Sequence, residues 1–501
     1  MRNRRSGMLP IVHPGITDMG NKKSTRFTSC LSWGISLVIA SSYVFLSFQH
    51  DLRLSLPILM GASAVVICLL TVLVFAGENG KIHISAGTVL LLAAFFRLLF
   101  LFTPPQLSDD VYRYLWDGLQ TLLGTNPYGL APGAAEPTDE ACAALLQEIN
   151  HPQYVTVYPP VSQLVFAVGA AISNNIAGLK ALLIMLDLGV CLIILKLLRA
   201  RGLPAWRSAL YAWHPLPIIE ISGSGHIDGT GILFFLTAVW LLYPSLRKCR
   251  LSSGSRTPIQ SKQIGGSFLA GIIFAASVLT KFIPLMYLPV LLASTGKPLR
   301  LAAGFLAGLV VISIPFMPEL LHMFITLGIF LNNWEFSNFA FHTLRSLTSS
   351  GDHARLIMTF LFMACMLIFT VSFLIGRKEN DVHGQFMSFM KAAYGITMCF
   401  ILLTPTLHPW YALSLVGLFP FITGPAGLVL SWSVFLSYHV LIGYALFGTW
   451  VENDLIAAAV WLSPITAGLL SFIAGRLKRE SRIPCTGGYA GAAREEHIGR
   501  T

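Results

Sequence analysis

Long apolar runs constrain the fold of this chain more than any other feature of its sequence. They recur from residue 31 to residue 475, and many approach the ~20 residues that carry a helix across a bilayer. Apolar residues make up 54% of the chain and charged residues 11%, against about 25% charged in a soluble domain. A soluble fold of this length would not cover its surface with so few charges. A β-barrel is excluded because its strands would alternate apolar and polar residues, so the sequence predicts an all-α polytopic membrane protein.

The runs predict a bundle of about 12–14 transmembrane helices with one large external loop, residues 104–157, after the third span. Residues 158–199 hold two apolar runs, of which one is expected to be re-entrant or interfacial, because only an odd number of crossings fits there. The other spans are expected at 31–48, 54–76, 84–103, 206–222, 227–244, 265–280, 282–296, 299–317, 354–376, 388–403, 408–423, 425–448 and 455–475.

The net charge of +11 comes mainly from Lys and Arg in segments expected on the cytoplasmic side. A positive-inside bias is typical of membrane proteins, so the charge does not indicate a nucleic-acid partner. The 104–157 segment carries seven acidic residues against Arg113 alone, which favours the external side. In this orientation the chain is a multi-pass protein of the cell inner (cytoplasmic) membrane, with both termini in the cytoplasm.

The two ends of the chain are polar, whereas the part between them belongs to one membrane domain. Residues 1–28 and 479–501 are expected to be disordered cytoplasmic segments, and residues 29–478 to form the transmembrane domain. The cysteines are scattered without a Cys-x-x-Cys pair, so neither a disulfide framework nor a zinc site is indicated.

Two adjacent carboxylates, Asp109 and Asp110, follow the third span in the stretch Leu107-Ser-Asp-Asp-Val-Tyr-Arg-Tyr-Leu-Trp-Asp-Gly118. Adjacent side chains on a helix point about 100° apart, so one carboxylate is able to face a reaction centre as a general base while the other caps the helix. Capping alone is the alternative for either residue. Tyr112 and its aromatic neighbours suit a membrane interface, where they would meet a lipid headgroup.

Two further groups of polar residues are expected on the external side. Asn126-Pro-Tyr128 and Tyr158-Pro-Pro160 belong to a long loop that either folds over an acceptor site or is simply turned by its prolines. The stretch Ser222-Gly-Ser-Gly-His-Ile-Asp228 places His226 and Asp228 between two spans, where they would assist proton transfer or bind hydroxyl groups. A polar turn is the alternative, and His-x-Asp alone is weak support for zinc.

Lys281 and Arg97 are cations in apolar surroundings, and such residues are functional candidates because their burial is costly. Lys281, in Thr280-Lys-Phe-Ile-Pro284, is expected to capture a phosphate or to snorkel to the interface. Arg97 is expected to snorkel or to pair with the acidic segment. The His408-Pro-Trp-Tyr411 stretch combines hydrogen-bonding and stacking groups that fit a sugar ring, with an aromatic belt as the alternative.

In their order along the chain, these motifs resemble the GT-C superfamily of integral-membrane glycosyltransferases. The pattern SDDVYRYLWDG, NPY, NHP…YPP, GSGHID, TKFIP and HPWY covers about 107–411. It is similar to bacterial polyprenol-phosphate-mannose-dependent mannosyltransferases and glycosyltransferase family 87, except that two spans precede the one leading to the acidic loop. The resemblance implies a GT-C-like bundle active in cell-envelope biogenesis. It would transfer a hexose from a polyprenyl-phosphate donor to a glycolipid or glycan acceptor outside the membrane, with inversion at the sugar carbon. The resemblance implies that this hexose is mannose.

The resemblance also implies roles for individual residues. Asp109 or Asp110 would be the general base, and the donor phosphate would be held by Lys281, Arg113 and Arg345. The residues implied in substrate binding are Tyr112, Tyr158, His226, Asp228, His408, Trp410 and Tyr411. No cofactor or metal is required, and a divalent ion on the Asp pair is not favoured.

Two other classes of membrane protein remain alternatives. A lipid-linked sugar transporter or flippase usually shows inverted repeats and charges near the bilayer midplane, whereas the ionisable groups here are expected on one face. A polysaccharide polymerase or ligase usually relies on external arginines, which are few in this sequence. Membrane lipids are expected partners under every one of these interpretations.

Overall fold

The computed structural model describes residues 17–137, 139–243, 266–377 and 382–480. Within these ranges the chain is helical and forms no β-strand, which confirms the predicted all-α membrane architecture. An isolated bridge pairs Phe336 with Thr406, and it joins two loops that lie beside the candidate site.

Residues 17–137 and 139–243 contain nine α-helices that we number in chain order. They are α1 Thr17–Ser47, α2 Leu56–Glu78, α3 Ala86–Leu98, α4 Asp110–Leu122, α5 Glu140–Gln147, α6 Pro160–Ile172, α7 Ile176–Arg201, α8 Ala209–Ala212 and α9 Asp228–Leu242. Short 3-10 turns at Pro132–Ala134 and Ala205–Ser208 and a π-helical turn at Pro217–Gly223 connect some of them.

The second half continues the helical bundle, again within the described ranges. Its α-helices are α10 Gly266–Val278, α11 Leu288–Ser294, α12 Pro298–Ser313, α13 Leu321–Asn333, α14 Phe339–Thr348, α15 Gly351–Arg377, α16 Val382–Leu403, α17 Leu413–Val416, α18 Pro425–Ser433, α19 Val440–Phe447 and α20 Asp454–Glu480. Short 3-10 turns lie at Ile283–Tyr287, Ile314–Phe316, Pro409–Ala412 and Val434–His439.

Eight helical segments of the described chain are long and apolar enough to cross a membrane. They are Cys30–Ser47, Leu56–Glu78, Ile176–Arg201, Pro298–Phe316, Gly351–Arg377, Gly384–Leu403, Pro425–Phe447 and Asp454–Leu477. Six shorter apolar helical segments accompany them, at Ala86–Leu98, Pro160–Ile172, Asp228–Leu242, Gly266–Val278, Ile283–Ser294 and Leu321–Asn333. In residues 158–199, the 13-residue α6 is about 20 Å long and too short to span, whereas the 26-residue α7 is long enough.

The described residues begin and end within the two segments that the sequence predicts at the ends of the chain. Helix α1 begins at Thr17, inside the segment 1–28 that the sequence predicts to be disordered, because a nucleated helix extends at little cost. Residues 1–16 of that segment lie outside the described residues. So do residues 481–501, which make up most of the predicted tail, while α20 continues to Glu480.

Local capping explains where the helices around the site begin and end. The Asn175 side chain accepts a hydrogen bond from the Gly178 amide at the start of α7, as an N-cap residue does. The same helix ends at Gly202, whose φ of 72° places it in the left-handed region that glycine adopts most easily.

A buried ion pair ties the first helices of the bundle together. Arg97 Nε donates to Asp187 Oδ2 at 2.6 Å, and Arg97 Nη1 donates to the Ala212 carbonyl at 2.8 Å. Both side chains are completely buried, and Tyr211 donates to the same carboxylate. Arg97 therefore neither snorkels nor pairs with the acidic segment, because Asp187 of α7 lies closer in the folded bundle.

Candidate active site

The adjacent carboxylates Asp109 and Asp110 face different surroundings. Asp109 occupies the N-cap position of α4 without a capping hydrogen bond from its side chain, and its Oδ2 accepts from Asn150 Nδ2 at 3.3 Å. The Ser108 hydroxyl instead accepts from the Asp110 amide at 3.3 Å. Asp110 begins α4 and its side chain turns into a cleft between helices, where it is 30% exposed.

Two tyrosine hydroxyls converge on Asp110. Tyr158 Oη donates to Asp110 Oδ2 at 3.0 Å, and Tyr114 Oη lies 3.2 Å from the Tyr158 oxygen and 3.5 Å from the same carboxylate oxygen. Burial raises the pKa of Asp110, while the charge of Lys281 and the hydrogen bond from Tyr158 oppose that rise. A carboxyl with a raised pKa is a stronger base, as general-base catalysis requires.

The position of Tyr158 follows from the packing of α4 against α6. Gln163 Nε2 in the first turn of α6 donates to the Tyr158 carbonyl at 3.1 Å, and Tyr128 Oη donates to the same carbonyl at 2.7 Å. The Tyr114 ring stacks on Phe166 with centroids 4.3 Å apart. The Asn-Pro-Tyr loop is thus packed onto the bundle and supports the residue that contacts Asp110.

His226 is completely buried between two carboxyl groups. Its Nδ1 lies 3.9 Å from Asp110 Oδ2, and its Nε2 lies 3.7 Å from Glu220 Oε2. Its ring stacks on Trp410 with centroids 3.9 Å apart. Burial lowers the pKa of His226 well below its usual value, and the nearby charge of Lys281 lowers it further, so the imidazole is neutral.

Glu220 belongs to this cluster, although our sequence reasoning did not select it. It lies in the π-helical turn Pro217–Gly223, is completely buried, and accepts from Tyr438 Oη at 2.9 Å on each carboxyl oxygen. The available signal was a carboxylate within the apolar stretch Pro217-Ile-Ile-Glu-Ile221, since an ionisable residue in a span is a functional candidate by default.

Lys281 and Asp228 form an ion pair at the same cleft. Lys281 Nζ lies 3.0 and 2.9 Å from the two carboxylate oxygens of Asp228. The ammonium also lies 5.9 Å from the Trp410 ring centroid and 5.3 Å from that of Tyr411, within the range of cation–π attraction. The chain places this cation where α10 has ended and the carboxylate where α9 begins.

An apolar groove continues from this ion pair into the bundle. Between α9, the turn before α11, and α17 it holds a cavity of ≈ 20 Å³, which is room for about one water molecule. Its lining combines the polar head formed by Lys281 and Asp228 with apolar side chains, among them Ile232, Phe235, Ile283, Pro284, Tyr287 and Leu418. The lining is therefore charged at one end and apolar over the rest.

The His408-Pro-Trp-Tyr411 stretch forms the aromatic wall of the site. The rings of His408 and Trp410 are stacked, with centroids 4.3 Å apart and planes inclined by 4°. Phe336 lies 5.0 Å from the His408 ring, on the loop that pairs with Thr406. Burial and the charge of Lys281 lower the pKa of His408 to about 3, so this histidine is also neutral.

The structure brings together most of the residues that the sequence selected, but not all of them. Asp110, Tyr158, His226, Asp228, Lys281, His408, Trp410 and Tyr411 form the cluster. Arg113 is buried and bonded to Asp117 at 2.8 Å and to the Tyr154 carbonyl at 3.0 Å. Arg345 pairs with Glu335 and is exposed.

Tyr112 lies beside Asp109 and Arg53, and burial raises the pKa of its phenol. Tyr112 follows Asp110 by two positions on α4, about 200° around the helix, so its side chain lies on the opposite face from the cluster. Within the described ranges, no group of three or more His, Cys, Asp and Glu side chains is arranged to hold a metal ion.

A sequence model of one protein family matches more than half of the chain. The family is described as alpha-(1->6)-mannopyranosyltransferase, N-terminal domain, and the match covers residues 31–296. The matched region contains Asp110, Tyr158, His226 and Lys281, whereas the aromatic wall at 408–411 lies beyond it. No individual curated protein matches the chain.

Proposed function

The chain belongs to the alpha-(1->6)-mannopyranosyltransferase family, and on that basis we propose that it is a GT-C type mannosyltransferase. It transfers mannose from a polyprenyl-phosphate donor to a hydroxyl of a glycolipid or glycan acceptor, with inversion, on the outer face of the cytoplasmic membrane. The observation that carries this proposal is one cleft that holds both a carboxylate suited to act as a base and a cation at the head of an apolar groove.

The groove and Lys281 suit a polyprenyl-phosphate donor. The leaving group is a phosphate that is already anionic, so it needs a nearby cation more than it needs a proton. Lys281 supplies that cation, and the aromatic rings beside it and Asp228 fix its position. Contact between the isoprenoid chain and the apolar lining beside Lys281 would remove apolar surface from water, which gains about 25 cal/mol per Å².

Asp110 suits the role of general base toward the acceptor. It takes the hydroxyl proton while the acceptor oxygen attacks the sugar carbon from the face opposite the phosphate. This parallels inverting glycoside hydrolysis, with an alcohol in place of water. Trp410 stacks on both His226 and His408, so this aromatic wall holds His226 in place beside Asp110. Asp109 faces Asn150 instead, so Asp110 is the proposed base.

Transfer of radiolabelled mannose from polyprenyl-phosphate mannose, assayed in membranes containing the protein, tests this assignment. Asp110→Asn should lower the rate by about 100-fold or more, because general-base catalysis contributes about 10²- to 10⁴-fold. Asp109→Asn is the matched control and should stay within a few-fold of the wild type.

Normal transfer by Asp110→Asn would show that Asp110 is not the base. A wild type that transfers no label from this donor, but transfers a sugar from another lipid-linked donor, would show that the proposed donor is wrong. Movement of the labelled lipid across the membrane without transfer would favour a flippase.

A further inference from the structure

Both ring nitrogens of His226 are buried and have no hydrogen-bond partner among the described residues. An unsatisfied polar atom in the interior destabilises the fold, so two on one imidazole need an explanation. Each nitrogen faces a carboxyl oxygen, Asp110 Oδ2 at 3.9 Å and Glu220 Oε2 at 3.7 Å. The ring stacks on Trp410, with the two planes inclined by 27°.

Glu220 differs from Asp110 in its access to water. Its side chain is completely buried, whereas that of Asp110 is 30% exposed. An ionised carboxylate is strongly disfavoured in an apolar interior unless it is paired with a cation. The hydroxyl of Tyr438 lies 2.9 Å from each of its oxygens, and a phenol is a neutral donor rather than a cation. These surroundings favour the protonated acid at Glu220.

We propose that Glu220 is a positioning residue that acts through His226 to keep Asp110 ionised. The protonated Glu220 donates its hydrogen to Nε2 of His226. The imidazole is then confined to the tautomer with hydrogen on Nδ1, and Nδ1 donates to the Asp110 carboxylate. This inference rests on the proposed function, because Asp110 matters here as the base of that reaction.

The hydrogen bonds of this chain of donors all point in one direction, and the chain carries one negative charge. Tyr438 donates to Glu220, Glu220 to His226, and His226 to Asp110, where the negative charge resides. The two contacts of His226 are roughly 1 Å longer than an ordinary hydrogen bond, and catalytic hydrogen bonds are often long before substrate binds. In the reaction the acceptor proton moves to Asp110, the bond from the sugar carbon to the phosphate breaks, and Glu220 and His226 keep their protons.

Other charged or titratable groups also surround the three residues and remain unchanged in the test. The groups that face Asp110 are Asp109, Tyr114, Tyr158, Asp228 and Lys281. Those that face His226 are Lys281 and His408. Those that face Glu220 are Tyr438, Asp228 and Lys281. Substitutions at Glu220 alter none of these side chains, so a change in the pH profile reports on the donor chain.

The test compares two substitutions of similar volume at Glu220. In Glu220→Gln, the amide N–H still donates to Nε2 and the carbonyl still accepts from Tyr438. The acid limb, which is the low-pH side of the plot of transfer rate against pH, should therefore stay at the same pH as in the wild type. In Glu220→Met, the donor is lost and the tautomer is no longer confined. Asp110 then loses a donor to its charged form, its pKa rises, and the acid limb moves up by about 0.5–1 pH unit.

A shift in Glu220→Gln as large as that in Glu220→Met would overturn the proposal, since it would show that the charge of Glu220 matters rather than its hydrogen. So would a Glu220→Met profile that coincides with the wild type. If Glu220→Met is not recovered in membranes, His226→Phe makes the same test, because it keeps a ring against Trp410 and removes the Nδ1 donor. Its acid limb must move up in the same way, and an unmoved limb rejects the donor chain.

Failure of this inference is distinguishable from failure of the proposed function. If Asp110→Asn abolishes transfer while every Glu220 variant keeps the wild-type profile, Asp110 is the base and Glu220 is only a structural residue. If the wild type transfers no mannose, no profile exists and the proposed function itself is wrong.

Discussion

Asp109 and Asp110 show that the chemistry of a residue depends on its surroundings in the fold as well as on its type. The two carboxylates are adjacent in the chain, yet one meets an exposed amide and the other meets two phenols, an imidazole and a nearby ammonium. Burial and hydrogen bonds therefore act on the pKa of Asp110 in opposite directions. The chemistry assigned to Asp110 depends on the balance between them.

The pH dependence of transfer follows from this balance. Asp110 must be ionised to act as a base, so activity is lost as pH falls through its raised pKa. Tyr158→Phe removes a donor to the carboxylate, raises that pKa further, and should move the acid limb to higher pH by about 0.5–1 unit. Rates measured across pH check this. Tyr112→Phe is the control, because that phenol lies on the other face of α4, and an equal shift there would contradict the assignment.

At the scale of elements, the contact of α4 with α6 holds Asp110 against Tyr158. Gly118 lies where the two helices meet, and a Cβ built on it would overlap the carbonyl oxygen of Phe166. A residue without a side chain is therefore required for the close approach. The same contact stacks Tyr114 on Phe166, so the distance between two helices determines the geometry of the base.

Gly118→Ala should destabilise the protein by about 1–3 kcal/mol, because the added methyl group forces the helices apart. Transfer should fall as well, since Asp110 moves away from Tyr158. Thermal unfolding in detergent measures the first effect. Gly61→Ala, in α2, is the matched control because nothing lies within 4 Å of its Cβ. If both variants unfold at the same temperature, the contact does not limit the position of α4.

At the scale of the whole molecule, buried charges join helices that are far apart in the chain. Arg97 of α3 reaches Asp187 of α7 and the Ala212 carbonyl, while Lys180 of α7 donates to the Phe100 and Thr103 carbonyls after α3. These contacts anchor the segment that leads into Asp110. The ion pair thus supports the site although it takes no part in the proposed chemistry.

Removing one partner of that ion pair should be worse than removing both. Arg97→Met leaves Asp187 buried without its cation and should cost about 3–5 kcal/mol. The double variant with Asp187→Leu removes the uncompensated charge and should recover part of that loss. Denaturant unfolding in detergent compares the three proteins. A double variant less stable than Arg97→Met would show that the uncompensated Asp187 carboxylate is not the cause of the loss.

Much of this molecule follows from local patterns in the sequence. The apolar runs predicted the all-α membrane architecture, and the order of the motifs predicted a mannosyltransferase family, which the family match supports. The sequence also predicted that the ionisable groups lie on one face, and Asp110, Asp228, Lys281 and His408 do converge in one cluster. Hydropathy and charge are additive along a chain, so they remain visible without the fold.

Only the tertiary structure decided which of the candidates meet. Asp110 rather than Asp109 enters the cleft because a one-residue step turns a helical side chain by about 100°. Arg113 is held by Asp117, and Arg345 by Glu335, instead of facing the groove. Glu220 joins His226 and Tyr438, although 218 positions separate it from that tyrosine. Membership of the membrane class is set by composition, whereas the partner of each polar side chain is set by packing between segments that the sequence keeps far apart.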